Sequence, residues 1–282
     1  MDLLSLFKQT DIVAQGKPFL RWTGGKNWLI PTIKKIVNKI EFNNYHEPFI
    51  GGGSVFFSLK TNQKSFISDS NKELINCYKA VKKNPEKILK ILSRYKQTEE
   101  QYYSLRNEKN GNEFIKAARF IHLNKTSFNG IYRVNLKGEY NVPYGKKNYD
   151  FNSLSTLINS ASQQLINTSI NNSDFNDSIS NIGQGDLVYL DPPYTITHNN
   201  NGFVRYNEKL FSYEDQLQLC QFIREIRYKG AYYILSNAHH PEVEKIYDQF
   251  NDNVYSLKRD SVVGGTKKSR GIYNEYLFTN IN

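Results

Sequence analysis

Two cysteines, Cys77 and Cys220, are too few and too distant in a chain of 282 residues for a disulfide framework or a cysteine-based zinc site. No apolar run approaches the ~20 residues that cross a bilayer, so no membrane partner is expected. Residues 1–8 lack a cleavage pattern. No signal peptide is expected, and the expected location is cytoplasmic. The histidines His46, His122, His198, His239 and His240 show no metal spacing with acids, and His239 and His240 are neighbours rather than i and i+4. No metal is expected. No Ser–His–Asp or Cys–His arrangement points to a nucleophilic hydrolase. There are no internal repeats, and the only compositional bias is toward asparagine.

Charge is plentiful and unevenly placed. The net charge is +10, and residues 79–150 hold 16 lysines and arginines against 7 acids, whereas the remainder holds 21 against 20. A basic segment in a near-neutral chain is the footprint of a polyanion-binding surface, or else a solvated helical face. The 20 tyrosines and 17 phenylalanines supply stacking surfaces as well as core.

The most informative stretch is Asp186-Leu187-Val188-Tyr189-Leu190-Asp191-Pro192-Pro193-Tyr194. Residues 187–190 read as a short buried strand. Two prolines end it, because they lack N–H donors and fix φ. Carbonyls there are free of a ladder and available to a ligand. Asp191 and these carbonyls offer acceptors, and Tyr194 offers a flat wall. Such a cup suits an exocyclic amino group on a planar base; the bland alternative is a strand followed by a solvated turn.

Two glycine-rich turns precede it. Residues 18–26 end in Trp22-Thr23-Gly24-Gly25-Lys26, ahead of a helix expected over 28–40. A glycine turn opening a helix makes an anion site, although the spacing is not that of a Walker A loop. Residues 45–57 read as a strand, then Gly51-Gly52-Gly53, then an apolar helix, a turn that lets a ligand approach the backbone. A second strand over 64–68 ends at Asp69. That acid either accepts hydrogen bonds from the ribose hydroxyls of a nucleoside or caps the helix expected over 74–81.

Residues 72–125 turn helical and read as an insertion between α/β units. They lead into Phe128-Asn129-Gly130-Ile131-Tyr132-Arg133, where Asn129-Gly130 is a hairpin turn signal. Arginine, asparagine and a bulky apolar residue on a protruding hairpin can read base edges and wedge between bases. A helix over 154–165 and a strand near Ile170 follow. After the proline turn come a polar loop at 198–202, a helix over 212–228 capped by Ser212 with Leu217, Leu219, Phe222, Ile223 and Ile226 along one side, and a strand over 231–235. Strands over 254–258 and 275–279 close the fold as an antiparallel pair. The basic loop between them carries Lys267 and Arg270, suited to phosphate contact.

This ordered series resembles the Dam-type, α-group DNA adenine-N6 methyltransferases over most of the chain. Phe-Leu-Arg-Trp-Thr-Gly-Gly-Lys, Glu-Pro-Phe-Ile-Gly-Gly-Gly-Ser, Ser-Asp-Ser-Asn, the basic insertion with Phe-Asn-Gly-Ile-Tyr-Arg, and Asp-Pro-Pro-Tyr occur in order. The resemblance implies an α/β, Rossmann-like S-adenosylmethionine-dependent methyltransferase sheet with an inserted helical target-recognition domain. The expected catalytic domain is 1–71 with 155–282, and the expected insertion is 72–154. Trp22, Lys26, Gly51, Gly53, Asp69 and Asp191 would bind S-adenosylmethionine. Asp191, Pro192 and Tyr194 would hold the adenine, and Arg21, Asn129, Ile131 and Arg133 would contact or wedge double-stranded DNA. Many relatives methylate GATC; Arg21 and Ile131 stand where relatives have Lys and Leu. A cognate restriction endonuclease is the further partner implied, and a monomer is expected. Competing readings are an RNA or protein amino-methyltransferase and a non-catalytic DNA-binding relative.

Overall fold

The computed structural model describes residues 16–59, 62–194, 211–260 and 272–282. In chain order, α1 is Ile30–Val37, β1 Tyr45–Glu47, α2 Ser54–Leu59, β2 Ser65–Asp69, α3 Lys72–Lys83, α4 Pro85–Leu92, α5 Glu99–Asn107 and α6 Glu113–Thr126. Then come α7 Phe151–Leu165, β3 Thr168–Asn172, β4 Leu187–Leu190, α8 Tyr213–Tyr228, β5 Tyr232–Ala238, α9 Pro241–Tyr247, β6 Asn253–Asp260 and β7 Ile272–Thr279. The seven strands form one sheet in the order β3-β2-β1-β4-β5-β7-β6. β1 runs parallel to β2 and β4, β4 runs parallel to β5, and β7 is antiparallel to both β5 and β6. This is the mixed α/β sheet the resemblance implies. Strand order reverses between β1 and β4, the point in an open α/β sheet where ligands bind beyond the carboxyl ends of the strands.

The described chain forms two compact units. The sheet unit comprises Trp28–Ile50, Thr61–Ser70 and Asn171–Asn282. Its central strands β1 and β4 are buried throughout, as strands covered on both faces must be. Val188, Leu190, Tyr233, Leu235 and Phe278 pack with Phe222, Ile223 and Ile226 of α8 and with Val243 and Tyr247 of α9. Each such apolar side chain contributes ~1.5–3 kcal/mol. At the entry to β4, the buried Asp186 carboxylate accepts from the Asn44 backbone and side-chain nitrogens (3.0 and 2.9 Å), from Gly183 N (2.9 Å) and pairs with His46 Nε2 (2.8 Å). It fixes where the strand begins.

α8 opens with a reciprocal cap: Asp215 N donates to Ser212 Oγ (3.1 Å) and Ser212 N to Asp215 Oδ2 (2.7 Å). One expected face residue is wrong. Leu217 is 43% exposed and Gln216 takes the inward position instead. Position 217 lies two residues from Leu219, on the opposite side of a 3.6-residue helix, whereas 216 is three residues away. Gln216 Oε1 is satisfied inside by Asn237 Nδ2 (3.1 Å) and the Tyr247 hydroxyl (2.7 Å).

The helical unit comprises Met1–Asn27, Gly51–Lys60 and Asn71–Ile170. Side-chain oxygens accept at the starts of α3 (Asn71), α4 (Asn84), α5 (Thr98), α6 (Asn112) and α7 (Asp150). Part of the asparagine bias is therefore capping chemistry. The cap of α3 is Asn71, which corrects the alternative that gave this role to Asp69. α6 is buried nearly all round, with Phe114, Ala117, Ala118, Phe120 and Ile121 joined by the polar Arg119, His122, Asn124 and Thr126.

Two further expectations need correction. α1 begins at Ile30, and its cap residue Leu29 has no side-chain bond, so the Gly24-Gly25 turn does not open the helix directly and makes no helix-terminus anion site. Phe128–Gly130 is a single 3-10 turn rather than a hairpin tip, with φ of 55° at Asn129 and 66° at Gly130. The local conformation matches the signal, but the flanking chain pairs elsewhere: Ser127 bridges Tyr144, and Phe128 N donates to Pro143 O (2.9 Å). The reversal comes later, where Val134 bridges Tyr140 and Asn135 N donates to Glu139 O (2.9 Å).

Candidate functional site

In the sheet unit, β4 delivers Asp191 and β5 delivers Ser236, whose hydroxyl donates to Asp191 Oδ1 (2.8 Å). Their strands are in register, Leu190 opposite Leu235. The Tyr189 hydroxyl meets Ser236 Oγ (3.2 Å) beneath. Pro192 is buried and Pro193 exposed. Tyr194 is partly buried, and its hydroxyl donates to Glu275 Oε2 (2.6 Å), which β7 carries opposite Ala238. On β1, the Tyr45 hydroxyl donates to the buried Glu47 (2.5 Å). Burial first, then the Asp191 and Glu275 carboxylates, hold the Tyr194 phenol well above its ordinary value, and burial with Asp191 does the same to Tyr189. Both phenols stay protonated donors. The result is an acceptor-rich, negatively charged cup suited to amino hydrogens or a positively charged group.

Asp69 ends β2. Its backbone carbonyl and that of Ser70 both accept from Asn172 Nδ2 (2.9 and 3.0 Å), which pins this strand end. A cavity of about 300 Å³ lies beside it, lined by His46, Pro48, Ser68, Asn172 and Ser173 among others.

In the helical unit, the glycine turn is built around an aromatic. A Cβ on Gly51 would lie 2.9 Å from Trp22 Cδ1, and one on Gly52 would lie 2.8 Å from Trp22 Cβ. Gly51 and Gly53 also adopt φ of 45° and 71°, so they need glycine for conformation as well as space. The Tyr78 hydroxyl holds the turn through Gly51 O (2.8 Å), and the Trp22 ring stacks on Tyr132 at 5.5 Å. Lys26 is buried and donates to Gly24 O (3.0 Å).

Arg21 is locked by Asn124, which accepts from its backbone N (2.8 Å) and donates to its carbonyl (2.7 Å). A Cβ on Gly130 would lie 2.6 Å from the Arg21 stem, so the turn and the arginine pack as one piece. Exposed Phe128 and Asn129 precede that contact, and half-buried Ile131 follows it. Arg133 is exposed and oriented by Asn141, whose Oδ1 accepts from Nε (2.8 Å). Burial, then the nearby Arg21 charge, lowers the Lys125 ammonium to about 8.

Residues 22–261 match the family of D12 class N6 adenine-specific DNA methyltransferases. The chain is a D12-class adenine-N6 DNA methyltransferase. It is 38% identical to the Type II methyltransferase M1.LlaDCHI of Lactococcus lactis subsp. cremoris, over 94% of this chain and 95% of the relative. It is 36% identical to the Type II methyltransferase M.MjaIII of Methanocaldococcus jannaschii, over 91% and 96%. It is 30% identical to the DNA adenine methylase of Escherichia coli K12, over 90% and 92%.

Among the expected site residues, the sheet unit of this methyltransferase carries Asp69, Asp191, Pro192 and Tyr194. The helical unit carries Arg21, Trp22, Lys26, Gly51, Gly53, Asn129, Ile131 and Arg133. Lys267, Arg270, the loop at 198–202 and most of the N-terminal arm lie outside the described residues. Sequence reasoning did not single out the buried Glu47, the contacts of Ser236 with Asp191 and of Glu275 with Tyr194, or the exposure of Phe128. Glu47 was signalled by its place in Glu-Pro-Phe and Phe128 by its place in Phe-Asn-Gly. Ser236 and Glu275 reach Asp191 and Tyr194 only through strand pairing, which no local motif encodes. No helix among the described residues is long and apolar enough to cross a membrane.

Proposed function

We propose that this methyltransferase uses S-adenosylmethionine to methylate N6 of an adenine flipped out of duplex DNA. The observation that carries the reading is the Asp191-Pro192-Pro193-Tyr194 cup at the carboxyl end of β4, where strand order reverses. The donor set fits the cofactor. Asp69, at the end of β2 on the far side of β1, is assigned to the ribose hydroxyls, and Gly51 and Gly53, whose positive φ keeps the turn free of side chains, are assigned with Trp22 and Lys26 to the same cofactor. The acidic cup favours a positively charged sulfonium.

The cofactor supplies an electrophilic methyl group. Asp191 and the Pro192 carbonyl accept hydrogen bonds from the adenine amino group. They draw its lone pair out of ring conjugation and stabilise the positive charge that develops on nitrogen. Asp191 and the Pro192 carbonyl would also receive, directly or through water, the amino proton that the nitrogen gives up on methylation. Ser236 holds the Asp191 carboxylate in position, and Glu275 anchors Tyr194, on whose ring the extruded base stacks.

Residues 72–154 act as the inserted target-recognition domain in this reading. Arg21, Asn129 and Arg133 contact DNA, and Ile131 with the exposed Phe128 wedges into the space the base vacates. Lys267 and Arg270 are assigned to phosphate contact. GATC is the proposed site, and similarity to Type II methyltransferases makes a cognate restriction endonuclease the proposed partner of a monomeric, cytoplasmic enzyme. Incubation with methyl-tritiated S-adenosylmethionine and unmethylated plasmid should label N6-methyladenine in DNA. Label in RNA or protein instead would favour an amino-methyltransferase of another substrate class.

A further inference from the structure

α6 buries four polar side chains, and three have evident protein partners. Asn124 serves Arg21, Thr126 donates to His122 O (2.7 Å), and His122 Nδ1 meets the Tyr149 hydroxyl (3.1 Å). Arg119 is different. It is 9% exposed, and its one side-chain hydrogen bond among the described residues is from Nη1 to Asn110 O (3.1 Å). A guanidinium has five N–H donors, and a buried cation without a counter-charge is costly. No acid forms an ion pair with Arg119 among the described residues.

Arg119 lines a cavity of about 390 Å³ inside the helical unit, walled by α3, α5, α6 and the 132–140 hairpin. Lys72, Arg106, Lys116 and Lys137 line it too, with the aromatic faces of Phe120, Tyr132 and Tyr140. The three acids on its wall already have donors. Glu73 accepts from the Tyr132 hydroxyl (3.1 Å), Glu108 from Asn110 N (2.7 Å), and Glu139 from Lys109 (2.5 Å). Lys72, Lys116 and Lys137 make no side-chain hydrogen bond or ion pair among the described residues. The cavity therefore holds surplus positive charge, uncommitted donors and aromatic surface.

We propose that this cavity is a binding site for a phosphate group, with the Arg119 guanidinium at its floor and Lys116, Lys72 and Lys137 at its rim. The phosphate comes either from the DNA backbone or from a free nucleotide. Planar N–H forks match phosphate oxygens, and the lysines add point charge. The site is separate from the residues assigned to methyl transfer, and the inference does not rest on those roles.

The test compares wild type with Arg119→Gln and with Lys116→Gln, the latter changing an exposed residue that leaves the core intact. Calorimetry with inorganic pyrophosphate reads the free-anion source. The slope of log K against log salt for a duplex reads the backbone source. Pyrophosphate binding that weakens at least tenfold in both variants, with an unchanged salt slope, assigns the site to a free anion. A slope that falls by about one in each variant assigns it to the DNA backbone. Lys116→Gln matching wild type in both measurements overturns the proposal. Methyl transfer assayed on the same preparations separates that result from a failure of the methylation reading.

Discussion

The Tyr194 hydroxyl illustrates how single residues hold the cup. Its bond to Glu275 orients the ring and gives the buried carboxylate a donor. Tyr194→Phe keeps the stacking face and leaves Glu275 one donor short. It should lower unfolding stability by ~1–3 kcal/mol while methyl transfer stays within about tenfold of wild type; Tyr194→Ala should lose far more activity. Parallel denaturation and methylation assays separate the two effects. His122 makes a second prediction. Burial lowers its imidazole from 6.5 to about 4, so the unfolded chain binds its proton more readily between those values. Stability from this residue is complete above pH 6.5 and is lost as pH falls toward 4, by ~3 kcal/mol in all. Urea unfolding across that range should show the slope, and His122→Gln should flatten it.

At the scale of elements, most helices and strands were legible because their apolar spacing and caps agree. The reciprocal cap at Ser212 and Asp215 and the closing pair β6 and β7 stand where spacing put them. The misread elements share a physical cause. Asn129-Gly130 carries the conformation of a hairpin turn, but its neighbours find partners across a wider loop, and pairing is a tertiary choice. Leu217 was assigned inward by hydrophobicity, whereas Gln216 is buried because Asn237 and Tyr247 satisfy it. The glycine turn was recognised by composition, but its packing against Trp22 was not. Gly51→Ala would put a Cβ 2.9 Å from the indole and force a side chain onto φ of 45°. It should destabilise the protein by ~1–3 kcal/mol and weaken S-adenosylmethionine binding more than DNA binding, read by calorimetry with each ligand.

For the whole molecule, the motifs ordered along the chain were sufficient to expect the sheet and the activity class. The acids that complete the cup were not legible, since Glu275 is more than 80 residues from Tyr194 in sequence and meets it only because β7 pairs with β5. Charge distribution was fully legible, and it makes a prediction of its own. With surplus cations concentrated in residues 79–150, DNA affinity should fall steeply with salt, and Arg133→Ala should reduce discrimination between cognate and near-cognate sites. Competition binding at two salt concentrations reads both. The central claim is that Asp191 acts on the adenine amino group rather than on DNA affinity. Single-turnover methylation by Asp191→Ala, measured beside its duplex dissociation constant, tests this most directly. The account predicts a rate at least ~10²–10³-fold below wild type, the scale of losing one electrostatic contact in a reacting site, with an affinity within a few-fold. A variant that still methylates at close to the wild-type rate would contradict it.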